Sequence, residues 1–426
     1  MLAVVCVLQL TGINEMAGWM DTARPWLPFV VVVALFSTTW LVARGLRERA
    51  RRIALLVGSC ACAVAFDPVF AAGSVLWLLG FHRVLFARGR THPGWGLAYA
   101  LTTLLVLAVA CSRDLWPEFL DAHRELSRLG FLWAIAYVFR IAWVLHEVRM
   151  RREVLPLLDF ILYFVFAPLF VIIPHMLVIP RCDRFRAGLP RHDLGVERAG
   201  VRLVAWGCVL AVGAWVLREV YDPKTLTLAA LHAHDTLRVA LLGLPYYPLQ
   251  PALEVCASAA ILVGLVRIAG IDLGVSFDRP LTAQTLGEFW RRWNTHFRDL
   301  LVELFYVPTV LRMRRRRTRG IVLGCFMVFV VGSTLLHLPK HYFRNGSVIP
   351  LDVHILVENL LMFAIVAIEL VREQTRPFIP ATSPIRAALR MVRTWTILLV
   401  VVIYAGYGSQ YALFGERIPV ATQPWR

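Results

Sequence analysis

Charge is scarce in this chain, and it leans to one sign. Only 17% of the 426 residues are charged, against about a quarter in an ordinary soluble domain. Lys and Arg outnumber Asp and Glu by 45 to 28, for a formal net charge of +17. Long hydrophilic stretches are missing, which leaves no room for a separate soluble domain. No repeat of fixed period occurs. The eight cysteines include no CxxC pair. Cys60 and Cys62 form a CxC with no second pair to complete a zinc site, so they read as small core residues and no metal is expected. A basic leader with a clear cleavage site is also missing, so a removable signal peptide is not expected. Residues 1–13 are apolar but short, suited to an interfacial helix or a partial span.

What is present is apolar sequence, 58% of the chain, gathered into runs. Examples are "PFVVVVALFSTTWLVA" (28–43), "GLAYALTTLLVLAVA" (96–110) and "IVLGCFMVFVVGSTLLHL" (321–338). Several approach the roughly 20 residues needed to cross a hydrocarbon core about 30 Å thick. Apolar segments fall near 26–43, 53–81, 94–111, 127–146, 155–180, 200–218, 225–246, 247–271, 320–338, 351–371 and 391–409. The 53–81 stretch carries Asp67-Pro68 near its middle and reads as two short passes or a broken hairpin. Pro168 and Pro174 raise the same choice within 155–180. The basic residues sit in short connectors such as "RGLRERARR" (44–52), "EVRMRRE" (147–153) and "RMRRRRTR" (312–319). Arginine-rich loops beside spans mark the cytoplasmic side and attract anionic headgroups, so the charge reflects membrane topology and not nucleic acid. The expected fold is all-α: one polytopic membrane domain over residues 1–426, with about ten to twelve transmembrane or re-entrant helices.

One segment does not suit a span. "GEFWRRWNTHFRDLL" (287–301) packs two tryptophans and three arginines around an asparagine. On a continuous helix over 283–307, Phe289, Trp293, Phe297, Leu300 and Leu304 share one face. Arg291, Arg292, His296, Asp299 and Glu303 fill the other, with Glu288 and Arg292 paired at i,i+4. Such a helix lies in the membrane interface. Asn294 then falls on the apolar side near Trp290, Phe297 and Leu301, where an unpartnered amide costs about 1–3 kcal/mol. It is either a cap or interhelical hydrogen bond, or a polar group aimed into a buried chamber. His296, on the charged face, reads as an ordinary solvated histidine.

His337 ends the apolar run 321–338, with Ser333 and Thr334 four and three residues before it on the same face. An ionisable group in a membrane segment usually faces a protein interior or wet cavity. The competing reading is a histidine reaching out at a helix end, since Pro339 and Lys340 follow. His354 and Glu358, four apart on the next apolar segment, could pair or support a site.

The stretch "SFDRPLTAQTLGEFWRRWNTHFRDLLVELFYVPTV" (276–310), followed by the histidine of "VGSTLLHLP" (331–339), resembles the membrane-bound O-acyltransferases. Phe277, Asp278, Pro280, Phe289, Trp290, Arg291, Arg292, Trp293, Asn294, Tyr306 and Pro308 carry the match. Leu336 and Leu338 stand where the family's "SGLWHG" has tryptophan and glycine, and "LEVCASAA" (253–260) replaces a serine-tyrosine-aspartate stretch. Asn294 stands where the polysaccharide-acetylating branch carries histidine. The Asn–His combination with FDRP looks more like the wax-synthase and lipid-acylating branches.

The resemblance implies helices around a central chamber, with a motif-bearing core at about 155–371. It implies acyl transfer from a thioester, acyl-CoA or an acyl carrier, to a hydroxyl of a lipid or envelope glycan. The thioester is a co-substrate, and no cofactor is held permanently. His337 is expected as the general base, since imidazole can take a proton at physiological pH. Asn294 is expected to hydrogen-bond the thioester carbonyl or the acceptor. Trp290, Arg291, Arg292, Trp293, Ser333 and Thr334 are the expected substrate-binding residues. Arg291 and Arg292, with the 312–319 cluster, could meet coenzyme A phosphates or an acidic carrier protein, although positive-inside topology explains most of that cluster. Partners implied are membrane lipids, the donor, the acceptor and an accessory envelope protein, in a bacterial inner membrane. A transporter or flippase is the rival class, but it calls for more charge inside spans or for paired broken helices in matching halves. An inactive acyl-binding scaffold is the third reading.

Overall fold

A computed structural model describes residues 27–112, 115, 124–170, 178–189, 193–217, 249–345, 353–376, 378–379 and 383–398. Among these residues every regular element is helical and no strand occurs. Among the described residues, five helices are long and apolar enough to cross a membrane: Pro68–Gly89, Pro93–Ala110, Leu129–Arg151, Leu194–Val216 and Arg314–Leu336. The expected segment 225–246 and most of 391–409 lie outside the described residues, as do residues 1–13.

The ambiguity at Asp67-Pro68 resolves as two helices, Glu48–Phe66 and Pro68–Leu85. Proline has no N–H with which to continue the ladder. Asp67 takes an extended conformation (φ −156°, ψ 104°) and serves both ends: its N–H donates to the Ala63 carbonyl, and its carboxylate accepts from Phe70 N at 2.8 Å. A second break follows Leu157–Val165, where Phe166 leaves the helix ahead of Ala167–Phe170.

The chain divides into two compact units. The first comprises residues 1–211, 257–275 and 339–348. Its core is aromatic: Trp77 stacks on Phe81 (5.0 Å) and Tyr137 (5.6 Å) and meets Trp133 edge-on (5.4 Å). Residues 159–165 are all buried. The Arg140 guanidinium donates to the Tyr163 and Phe164 carbonyls. Those are last-turn carbonyls that no helical N–H can reach. Asp159 is also buried and accepts two 3.1 Å hydrogen bonds from Arg52, which holds Glu48 at 2.6 Å. Arg51, buried as well, donates to the Ala269 carbonyl at 2.7 Å.

Small residues let two helices of this unit touch through their backbones. A Cβ at Gly264 would lie 2.9 Å from the Gly200 carbonyl oxygen, and one at Gly200 would lie 2.7 Å from the Gly264 oxygen. Close approach through small side chains is the usual means of joining helices in lipid, where burial of apolar surface supplies little drive.

The second unit comprises residues 212–256, 276–338 and 349–426. Its core joins Leu286, Phe289 and Leu301 to Ile321, Val328 and Phe329, and to Met362, Val366 and Ala367 of the Val353–Glu373 helix. This unit carries the expected site.

Candidate functional site

The arginine-tryptophan segment begins at a well-specified helix start. Thr285 is the N-cap of Leu286–Arg292, and its Oγ1 accepts from Glu288 N at 3.0 Å. Two further orphan N–H groups, Leu286 and Gly287, donate to the carboxylate of Glu369 at 3.3 and 2.6 Å. A carboxylate is favoured there by the helix dipole as well as by the hydrogen bonds. Glu288 reaches back to Gln284 N at 2.7 Å and accepts from Arg292 at 2.6 Å, the i,i+4 pair expected from spacing. The same guanidinium donates to Thr282 Oγ1 at 2.7 Å, which ties the FDRP turn to the helix.

The continuous helix expected over 283–307 is not what forms. Trp293 is extended (φ −90°, ψ 128°), and Asn294 adopts the left-handed conformation (φ 41°, ψ 59°). Asparagine enters that region more readily than most residues. A new helix, Thr295–Leu301, starts beyond it with Asn294 as N-cap, its Oδ1 accepting from Phe297 N at 3.4 Å. The break is held from outside. Asp278 N donates to the Arg292 carbonyl at 2.9 Å, and Thr295 N donates to the Ser276 carbonyl at 2.8 Å. The FDRP stretch thus completes the backbone of the bend.

Because the helix restarts, the single helical wheel fails after Trp293. His296, expected to be solvated on a charged face, is instead buried at 6% exposure. It belongs to the second helix, whose buried residues are His296, Leu300 and Leu301. Asn294 likewise does not share a continuous apolar face with Trp290. The cap among its readings is formed, through Oδ1.

Aromatic contacts pin the bend in place. Trp293 stacks on Phe289 (5.2 Å, 23°) and meets Phe277 edge-on at 4.7 Å. Trp290 meets Phe329 edge-on at 5.3 Å, and Phe289 meets Trp395 at 5.7 Å. Such ring pairs contribute about 0.5–1.5 kcal/mol each beyond simple burial. The indole N–H of Trp290 is shielded from solvent and finds no acceptor among the described residues.

Beyond the bend the helix widens to a π-turn at Val302–Tyr306, and the facing helix does the same at Met327–Gly332. The rings of Phe305 and Tyr306 lie where side chains at Gly332 and Gly324 would be, with a Cβ at either glycine 2.7 Å from a ring carbon. Wide turns of this kind occur often at functional sites. Burial pushes the Tyr306 phenol up from its ordinary value.

The expected binding residues separate into distinct environments. Trp290 and Trp293 are half-buried in the aromatic cluster, and Arg292 is engaged by Glu288 and Thr282. Arg291 is exposed, with Glu373 at 3.8 Å. Ser333 is half-buried, whereas Thr334, expected on the site face, is exposed. His337 lies on the Ser333–Asn345 helix, which continues through Pro339, and its side chain is outside the described residues, as is that of His354. Glu358 is half-buried. Among the described residues no group of three His, Cys, Asp or Glu is placed to hold a metal ion.

No protein-family model matches this chain, and no curated protein matches it in sequence.

Proposed function

We propose that this protein is a multi-pass membrane O-acyltransferase, moving an acyl group from a thioester to the hydroxyl of a lipid or envelope glycan. The reading rests on the resemblance of residues 276–310 and 331–339 to that family. The observation that supports it in the fold is the buried N–H of Trp290 beside the Asn294 bend, which finds no acceptor among the described residues. A buried donor left without an acceptor costs about 1–3 kcal/mol, a cost removed when a substrate carbonyl or hydroxyl oxygen arrives.

In this mechanism His337 accepts the proton of the acceptor hydroxyl as its oxygen attacks the thioester carbonyl carbon. The C–S bond then breaks, and the thiolate leaves with the proton held on the imidazole. Asn294 has Oδ1 engaged in its cap, so its role is donation through Nδ2 to the carbonyl oxygen as charge develops there. Arg291 is the exposed member of the arginine pair, and its proposed role is to meet an anionic donor. The wider architecture proposed is ten to twelve spans around a central chamber, in a bacterial inner membrane.

The test is labelled acyl transfer and thioester hydrolysis by purified wild type, His337→Ala and Asn294→Ala. Loss of an oxyanion-type donor lowers turnover about 10²–10³-fold, and loss of the base about 10²–10⁴-fold. Wild-type turnover in His337→Ala overturns the assignment of the base. Absence of turnover with every acyl donor favours a scaffold.

A further inference from the structure

The arginine run "RMRRRRTR" ends in a groove that topology alone does not explain. Arg314–Arg316 form a single 3-10 turn, and the Arg317–Phe326 helix starts at once. Arg312, Arg314, Arg315, Arg316, Arg317 and Arg319 are all exposed. None of them forms an ion pair among the described residues, whereas Arg52, Arg151, Arg186 and Arg292 each hold a carboxylate.

Next to this charge lies a cavity of about 380 Å³, lined by Met313, Thr318, Arg319, Val322, Leu323, Phe326 and Phe363. Residues 318, 319, 322, 323 and 326 follow one strip of the helix across about two turns, or about 12 Å of axis. Polarity changes along that strip. Thr318 and Arg319 stand at the charged end, and Val322, Leu323 and Phe326 make an apolar floor that Phe363 closes at a ring distance of 5.5 Å from Phe326. Val322 and Leu323 are 38% and 42% exposed, so the floor is open along its length.

The position fixes the kind of occupant. Arg314–Leu336 is one of the helices able to cross a membrane, and the groove occupies its arginine-bearing end. Basic residues at such an end sit at headgroup level, and hydrocarbon begins within a turn or two. A ligand for this strip has an anionic head and a hydrocarbon tail in the same order along the helix. Anionic bilayer lipids have that order, and basic pockets between membrane helices bind them.

We infer that the Met313–Phe326 groove is a binding site for an anionic phospholipid of the cytoplasmic leaflet, with its phosphate on Arg314–Arg316 and Arg319 and one acyl chain along Val322, Leu323 and Phe326. The site is independent of the acyl-transfer reading and stands if that reading fails.

Native mass spectrometry of the full chain in detergent tests it, with phosphatidylglycerol and phosphatidylcholine of equal chain length. The glycerol lipid binds about tenfold more tightly at low salt, and the preference shrinks as salt rises. R314Q/R315Q/R316Q removes the preference. Val322→Trp fills the groove without altering charge and weakens phosphatidylglycerol about fivefold, at an unchanged melting temperature. Leu323→Trp serves the same purpose if Val322→Trp melts lower. An undiminished preference in the triple variant overturns the headgroup assignment. Undiminished affinity in both tryptophan variants overturns the groove and leaves only diffuse charge. Inorganic phosphate displacing the lipid at equal concentration also overturns the proposal, because the head alone then accounts for binding.

Discussion

The two units use charge in opposite ways. The first buries it: Arg51, Arg140, Glu147 and Asp159 are all buried, and each is held by backbone or by an opposite charge. In the second unit, charged groups close helix ends, as Glu369 and Glu288 do, or stand exposed, as along 312–319. A buried charge commits its neighbours to one geometry, because removing a partner leaves the other stranded. A charge at a helix end can be lost with only local loosening. The first unit is therefore expected to behave as a rigid frame and the second as the part that adjusts.

The largest expected effect breaks the frame. Asp159→Ala leaves Arg52 without its buried acceptor and costs about 3 kcal/mol, the low end for a broken buried pair because Glu48 still holds the guanidinium. Thermal unfolding in detergent measures it. Gly264→Leu forces apart the helices that meet at Gly200 and costs about 1–3 kcal/mol by overpacking, read in the same assay. Glu369→Ala uncaps Leu286 and Gly287 for about 1 kcal/mol, and hydrogen exchange speeds up over 286–292 while the first unit is unchanged. A global change in exchange would erase the distinction between the units.

The smallest effect is acid. The hydrogen bond from Arg186 holds the Glu153 carboxyl below its ordinary range. Burial pulls Asp183 upward, but Arg181, Arg151 and the Arg184 N–H outweigh it, and the net shift is also downward. Folded values below unfolded ones mean stability present above the ordinary carboxylate range near pH 4 and lost as pH falls through the lowered values. Both groups are partly solvated, so the loss amounts to tenths of a kcal/mol each. A pH series of melting temperatures, flattened in Glu153→Gln, checks it.

Much of this organisation was legible in residue types. Asp67-Pro68 announced its break because proline removes a donor and aspartate supplies an acceptor. Glu288 and Arg292 announced their pair. The bend at Trp293–Asn294 was hidden, although asparagine is suited to a left-handed turn, because what holds the turn open is hydrogen bonding with Asp278 and Ser276, fourteen and nineteen residues upstream of their partners Arg292 and Thr295. A single wheel drawn through that break assigns His296 to the wrong face, which is why its burial is not legible from spacing. Glu369 as the partner of Gly287 is 82 residues distant and left no local mark.

The widened turn at Met327–Gly332 has a consequence for how the histidine is positioned. Such a turn accommodates one surplus residue in an otherwise regular coil. Deleting a single residue there would return the coil to a regular helix and leave position 337 near its present angle about the axis, whereas deleting one from a regular turn would rotate everything downstream by about 100°. The angular placement of that position therefore tolerates the loss of one residue inside the wide turn and is lost when a residue is removed between that turn and position 337.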